Sequence, residues 1–205
     1  MGVIEAIQQR RSIRHYRSDE IPEEILNRLL GVLRLAPSGG NRQPWKFVVV
    51  RDKETRGKLA AACCFSTEKG HLVVQDWIAE APVVIVACGA EKEGAAGFYR
   101  EDGVPLIANG QVVIGEMGKR PGEYVTSVPW DLAIALDHFS LAAVEEGLGT
   151  CWIAGVNEKV VKNLLSIPDD IRAQLIMPVG YSALSWPDPR PRKSLEEIVC
   201  YDKYS

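Results

Sequence analysis

The chain has 205 residues, 46% of them apolar and 25% charged, and its 24 basic and 27 acidic side chains leave a formal net charge of −3. That length can bury a sizeable core without disulfide staples, and the composition is that of a globular protein rather than a disordered segment. The weakly acidic balance lends nothing to a nucleic-acid role, and no apolar run reaches the roughly 18 residues that cross a membrane.

Five cysteines (Cys63, Cys64, Cys88, Cys151 and Cys200) form neither a CxxC pair nor a disulfide-like spacing. Free thiols in a reducing cytoplasm are the expectation. No signal-peptide pattern opens the chain, because Glu5 and then arginines interrupt the apolar residues.

Val3, Ile4 and Ile7 mark the apolar face of a first helix, and Arg10-Arg11-Ser12-Ile13-Arg14 follows. If that helix continues, Arg10 and Arg14 project the same way as an i, i+4 pair. Guanidinium forks match phosphate geometry, so the cluster is a candidate anion site, with a solvated charged face as the alternative. Pro22-Glu23-Glu24 opens a second helix, since proline is tolerated in a first turn and acids suit its positive end. Ile25, Leu26, Leu29, Leu30 and Leu33 carry that helix to Ala36-Pro37-Ser38-Gly39-Gly40-Asn41-Arg42-Gln43-Pro44-Trp45. Prolines end the helix there, glycines permit close approach by another body, and Ser38, Asn41 and Gln43 offer donors and acceptors. The loop lacks His, Cys and carboxylates, so it suits a flat, polar-edged ligand rather than a metal.

Phe47 to Val50 reads as a buried strand, and Asp52 caps a helix over Thr55 to Ala62. Phe65 to His71 reads as loop. Gln75 to Ala81 precedes Pro82 and a second buried strand, Val83 to Cys88. The Gly- and Pro-rich stretch from Ala90 to Trp130 reads as a long excursion of lid type with one short helix, Leu106 to Met117. Asp131 to Gly147 is a helix apolar nearly all round, to be buried against other helices or a second subunit, with His138 in a structural role. Gly147-Leu148-Gly149-Thr150-Cys151-Trp152 follows a helix and opens a strand, the reverse of a dinucleotide fingerprint. Asn157 caps a helix through Leu165, Gln174 to Val179 is a strand, and Trp186 to Lys193 runs extended through alternating prolines. With no repeats and no linker, residues 1–205 read as one α+β domain, a mixed central sheet packed by helices.

Four of these segments together resemble the FMN-dependent nitroreductase family: Arg10 to Arg14, Ala36 to Trp45, Gly147 to Trp152, and Arg190-x-Arg192-Lys193. The resemblance implies an entwined homodimer with FMN at each subunit interface. It implies that Arg10, Ser12 and Arg14 hold the ribityl chain and phosphate, completed by Arg190 and Arg192, with Arg11 and Lys193 as further candidates. It also implies that Pro37, Ser38, Gly39 and Asn41 reach the flavin from the partner, and that Gln75 meets its polar edge. Ala154-Gly155 would present a backbone N–H to flavin N5; some members carry an acid where this chain has Ala154, so only the backbone role transfers. The implied activity is reduction of nitroaromatics, quinones or similar electron-poor acceptors by NADH or NADPH in a ping-pong reaction. Reductive dehalogenation, flavin breakdown and non-enzymatic flavin binding are the alternatives. The flavin would do the redox work, so no catalytic side chain and no metal is assigned. His15 and His71 lie near site segments without an evident carboxylate partner.

Overall fold

The computed structural model describes residues 1–66, 70–90, 107–108, 111–112 and 128–204. Helix α1 (Val3–Gln9) and helix α2 (Glu23–Leu33) come first. A 3-10 turn at Gly39–Asn41 leads into β1 (Trp45–Val50), and α3 (Lys53–Ala62) follows. Asp52 caps α3 as its position demands, its carboxylate accepting from Thr55 N at 2.7 Å. Strand β2 (Phe65–Ser66) lies in the span expected to be loop and pairs antiparallel with β3 (Leu72–Val73) just beyond it, and a 3-10 turn at Asp76–Glu80 precedes β4 (Val83–Ala90).

A hairpin joins β5 (Ile107–Ala108) to β6 (Gln111–Val112). The helix expected over Leu106 to Met117 is therefore wrong where it can be checked, and its remainder lies outside the described residues. Asn109-Gly110, the sequence between the two strands, is the dipeptide that two-residue hairpins favour. The rest of the expected excursion also lies outside the described residues. Then come α4 (Val128–Glu145), β7 (Gly149–Thr150), α5 (Glu158–Leu165) and β8 (Ile171–Gly180). Asn157 caps α5 through Val160 N, and Gly147 leaves α4 at φ 71°, a left-handed geometry that glycine adopts freely.

The central sheet has the order β1-β4-β8-β7, every ladder antiparallel. Its parallel component is an isolated bridge from Ser12 to Thr150. Strand β4 is buried on both faces because side chains alternate along it. Val83, Ile85 and Ala87 join α2 and α4 in one core, with Leu26, Leu29, Leu136 and Phe139. Val84, Val86 and Cys88 join α3 and α5 in the other, with Leu59, Cys63 and Val161. The molecule is thus α+β, a sheet between two helical layers. Among the described residues no disulfide joins the five cysteines. No helix among the described residues is long and apolar enough to cross a membrane.

Two amphipathic expectations resolve unevenly. Helix α4 buries Leu132, Ala135, Leu136, Phe139 and Ala143 within its own chain, leaving Trp130 and Ile134 exposed. Helix α1 buries Ala6 but leaves Val3 and Ile4 71% and 68% exposed, so its apolar face has no cover among the described residues.

Candidate functional site

Helix α1 ends at Gln9, and Arg10 already has extended backbone at φ −55°, ψ 128°. Arg10 and Arg14 are therefore not an i, i+4 helical pair. The segment instead bridges β7: Ser12 pairs in parallel with Thr150, and Ile13 N donates to Thr150 O at 3.0 Å. Extended backbone alternates its side chains, which groups Arg10, Ser12 and Arg14 against Arg11 and Ile13. Cys151 records that grouping. Burial pushes its thiol up, while Arg14, the Ser12 hydroxyl and Arg10 all pull it down. Arg14 also lies 6.0 Å over the Trp77 ring.

Gly149 makes the bridge possible. A Cβ there would sit 2.3 Å from Cγ1 of Ile13, and Ile13 is buried. On the far side, the chain leaving β8 folds back beside the same segment. Tyr16 bridges Ser182, Arg17 N donates to Tyr181 O, and Ala183 N donates to His15 O. Trp186 Nε1 donates to Gln9 O at 2.6 Å. The proline-rich stretch that begins at Trp186 is thereby laid along its own N-terminal segment.

These two strands of chain enclose a cavity of about 400 Å³ lined by Arg10, Arg11, Ser12, Arg14, Arg190 and Arg192, with Asp188 as its one acid. His15 lines it as well, and its Nδ1 lies 3.5 Å from Oε2 of Glu80, the carboxylate that also accepts from Tyr16 N. The expectation that His15 lacks a carboxylate partner is thus corrected. Among the described residues Arg10, Arg14, Arg190 and Arg192 form no salt bridge. Four arginines that form no such bridge, in a lining whose one acid among the described residues is Asp188, are a donor set for a phosphate dianion.

The remaining candidates lie elsewhere. Lys193 is exposed and does not line the cavity, nor does His71. The Gln75 amide nitrogen donates to Cys63 O at 2.7 Å and its backbone N to the Cys64 sulfur, so the amide oxygen and one amide N–H are left to address a ligand. Ala154 and Gly155 are exposed directly after Ile153, which is locked to Ile176 by two 2.9 Å backbone bonds. Ala154 borders a second cavity of about 530 Å³ with Trp152 and Arg172. Among the described residues, no group accepts from Gly155 N.

Pro37, Ser38, Gly39 and Asn41 line neither cavity. Their loop is braced internally, with Ser38 Oγ accepting from Gln43 N at 2.9 Å and both Asn41 and Gln43 at positive φ. Gly39 N donates to Oδ1 of the buried Asp131 on α4. Asp131 and Trp77 were missed by sequence reasoning. Each supports a site segment from an element far away in sequence, and only an acid at the start of an apolar helix hinted at the first.

A family model described as the nitroreductase family matches residues 7–181. The chain belongs to the nitroreductase family. It is 29% identical to a putative NADH dehydrogenase/NAD(P)H nitroreductase of Methanothermobacter thermautotrophicus, over 89% of this chain and 78% of that one. It is 24% identical to an iodotyrosine deiodinase of Thermotoga neapolitana, over 93% and 92%. A solved nitroreductase family protein from Clostridium difficile 630 superposes over the whole of both chains with a TM-score of 0.75 at 27% identity.

Proposed function

We propose that the protein is an FMN-dependent NAD(P)H oxidoreductase that reduces nitroaromatics, quinones or similar electron-poor acceptors. The carrying observation is the convergence of Arg10, Ser12 and Arg14 with Arg190 and Arg192, from opposite ends of the chain, on one cavity. These residues fit a terminal phosphate. When bound, FMN supplies two-electron redox chemistry, accepting hydride from NADH or NADPH and reducing the acceptor in a second half-reaction. The chain's own contribution is electrostatic and positional: Arg14 and the Gly155 N–H favour the negative charge of the reduced state, and the backbone locks at Thr150 and Ile153 hold both in place.

Among the described residues, the Pro37 to Asn41 loop does not line the basic cavity. A homodimer that supplies this loop from the partner accounts for that separation. The uncovered apolar residues of α1, together with exposed Leu195, Ile198 and Tyr201 in the tail, suit such an interface. The deiodinase relative favours a second reading, reductive dehalogenation of an aromatic substrate by the same reduced cofactor.

Purified protein should take up FMN, the bound flavin should bleach on adding NADH or NADPH, and steady-state rates should give parallel double-reciprocal lines. Protein that fails to bind added FMN would overturn the reading. Intersecting lines would overturn the sequential use of one site. Turnover of an iodinated phenol far exceeding that of nitroaromatics and quinones would favour the second reading.

A further inference from the structure

We propose that Arg11, although it borders the basic cavity, is a positioning residue: a clasp that fastens the C-terminal tail to the end of α1 and so brings Arg190 and Arg192 opposite Arg10 and Arg14. The inference rests on the flavin-phosphate reading of that cavity. Arg11 Nε donates to Pro187 O at 3.2 Å and Asp188 O at 3.3 Å, and Nη1 donates to Gln8 O at 2.7 Å and Arg10 O at 2.8 Å. Nε and Nη1 carry three of the five guanidinium N–H donors, so most of the fork is committed to carbonyls.

Two features of the chain make this arrangement the natural one. The last carbonyls of a helix have no partner within it, and α1 has no basic residue in its last turn. Arg11 and Trp186 take those carbonyls, on Gln8, Gln9 and Arg10. On the tail side, Pro187, Pro189 and Pro191 have no N–H to give, so the stretch offers twice as many backbone acceptors as donors and is readily held through its carbonyls by a donor from elsewhere. A planar fork presents donors at separate, fixed positions and so spans two backbone strands at once, whereas the ammonium of lysine is a compact point charge on a flexible stem that fits this geometry poorly. Alternation along the extended segment also sets Arg11 apart from Arg10, Ser12 and Arg14, the three groups that act on Cys151.

A direct phosphate ligand and a clasp respond differently to lysine. Apoprotein of the Arg11→Lys, Arg11→Gln and Arg192→Gln variants would be titrated with FMN by flavin fluorescence. The indole Nε1–H signal of Trp186, assigned with Trp186→Phe, would be followed by NMR without flavin. A clasp predicts that Arg11→Lys and Arg11→Gln lose FMN affinity alike, by about ten- to a hundredfold, and that both shift the indole proton and speed its exchange. Arg192→Gln should lose affinity with the indole signal unmoved. Arg11→Lys with wild-type affinity beside a weakened Arg11→Gln would overturn the clasp in favour of a charge contact, as would an unmoved indole proton in both Arg11 variants. If Arg11→Gln does not fold, the lysine variant alone decides. If wild-type protein binds no FMN, the flavin reading falls while the indole signal still tests the clasp.

Discussion

Replacing Gly149 with alanine probes whether backbone proximity, rather than charge alone, builds the basic cavity. The added Cβ would stand 2.3, 2.7 and 3.0 Å from Cγ1, Cβ and Cγ2 of Ile13. Real Cβ contacts do not approach so closely, and Ile13 has little room to retreat, being packed among Tyr16, Ala81, Trp77 and Trp186. Overpacking of this kind costs about 1–3 kcal/mol. The strain falls on the bridge that holds Ser12 to Thr150, so FMN affinity should fall together with stability. Urea denaturation and FMN titration of Gly149→Ala, Ile13→Ala and the double variant form a cycle. Ile13→Ala alone should cost roughly 2–5 kcal/mol through its cavity. The double variant should be less destabilised than the sum by about 1 kcal/mol or more, because the truncated side chain makes room for the new methyl. Strict additivity, or a Gly149→Ala protein with wild-type stability and affinity, would refute the reasoning.

Arg192→Ala should weaken FMN about tenfold or more while leaving the denaturation midpoint near wild type, checked by titration and urea melts. Asn157→Ala removes the cap that accepts from Val160 N and should cost about 1 kcal/mol of stability by the same melts. Burial resists ionisation of Glu158, but its bonds from Arg172 and Ala173 N outweigh that and hold its pKa below the ordinary carboxylate value. Its stabilising contribution is therefore present above the unfolded-state pKa and lost as pH falls through the folded one, and Glu158→Gln should flatten the acid limb of a stability–pH curve. Burial pushes the Cys63 and Cys88 thiols up to about 12 and about 11, so both should resist alkylation at pH 8 until denaturant is added, as mass mapping would reveal.

Where the fold was legible, one local signal sufficed. Asp52 and Asn157 are caps in the sequence and caps in the structure, and the unbroken apolar run from Val83 becomes a strand buried on both faces. Failures came where two local signals competed. Leu106 to Met117 carries apolar residues that fit a helical period loosely, yet Ile107 and Ala108 pair with Val112 and Gln111 as short strands. Phe65 to His71 was read as loop, but a two-residue strand pair needs only one register of backbone bonds and leaves almost no periodicity to detect. Helix α1 ends at Gln9 although nothing in its side chains marks the stop. The end is set by the bridge to Thr150, a partner more than a hundred residues away.

The candidate site divides along the same line. Charge is conspicuous in a sequence, so Arg10 and Arg14 stand out as a candidate anion site, whereas Arg190 and Arg192 are named through the family resemblance alone. The order of residues could not tell which arginines face a ligand and which hold the chain. Arg11 and its neighbours differ only in the direction that an extended backbone gives them, and that backbone depends on a glycine at position 149. The same reasoning explains why the ring end is harder to read. Its groups are a loop braced on Asp131, an amide turned toward Cys63 and an exposed backbone N–H at Gly155, none of which carries a charge. Their geometry is fixed by packing, and some of the packing surfaces, such as the bare face of α1, have no cover among the described residues. If a second copy covers them, as the proposed homodimer requires, a single chain would bind phosphate weakly through its charged half, and selectivity for a flat ring system would come only with the partner.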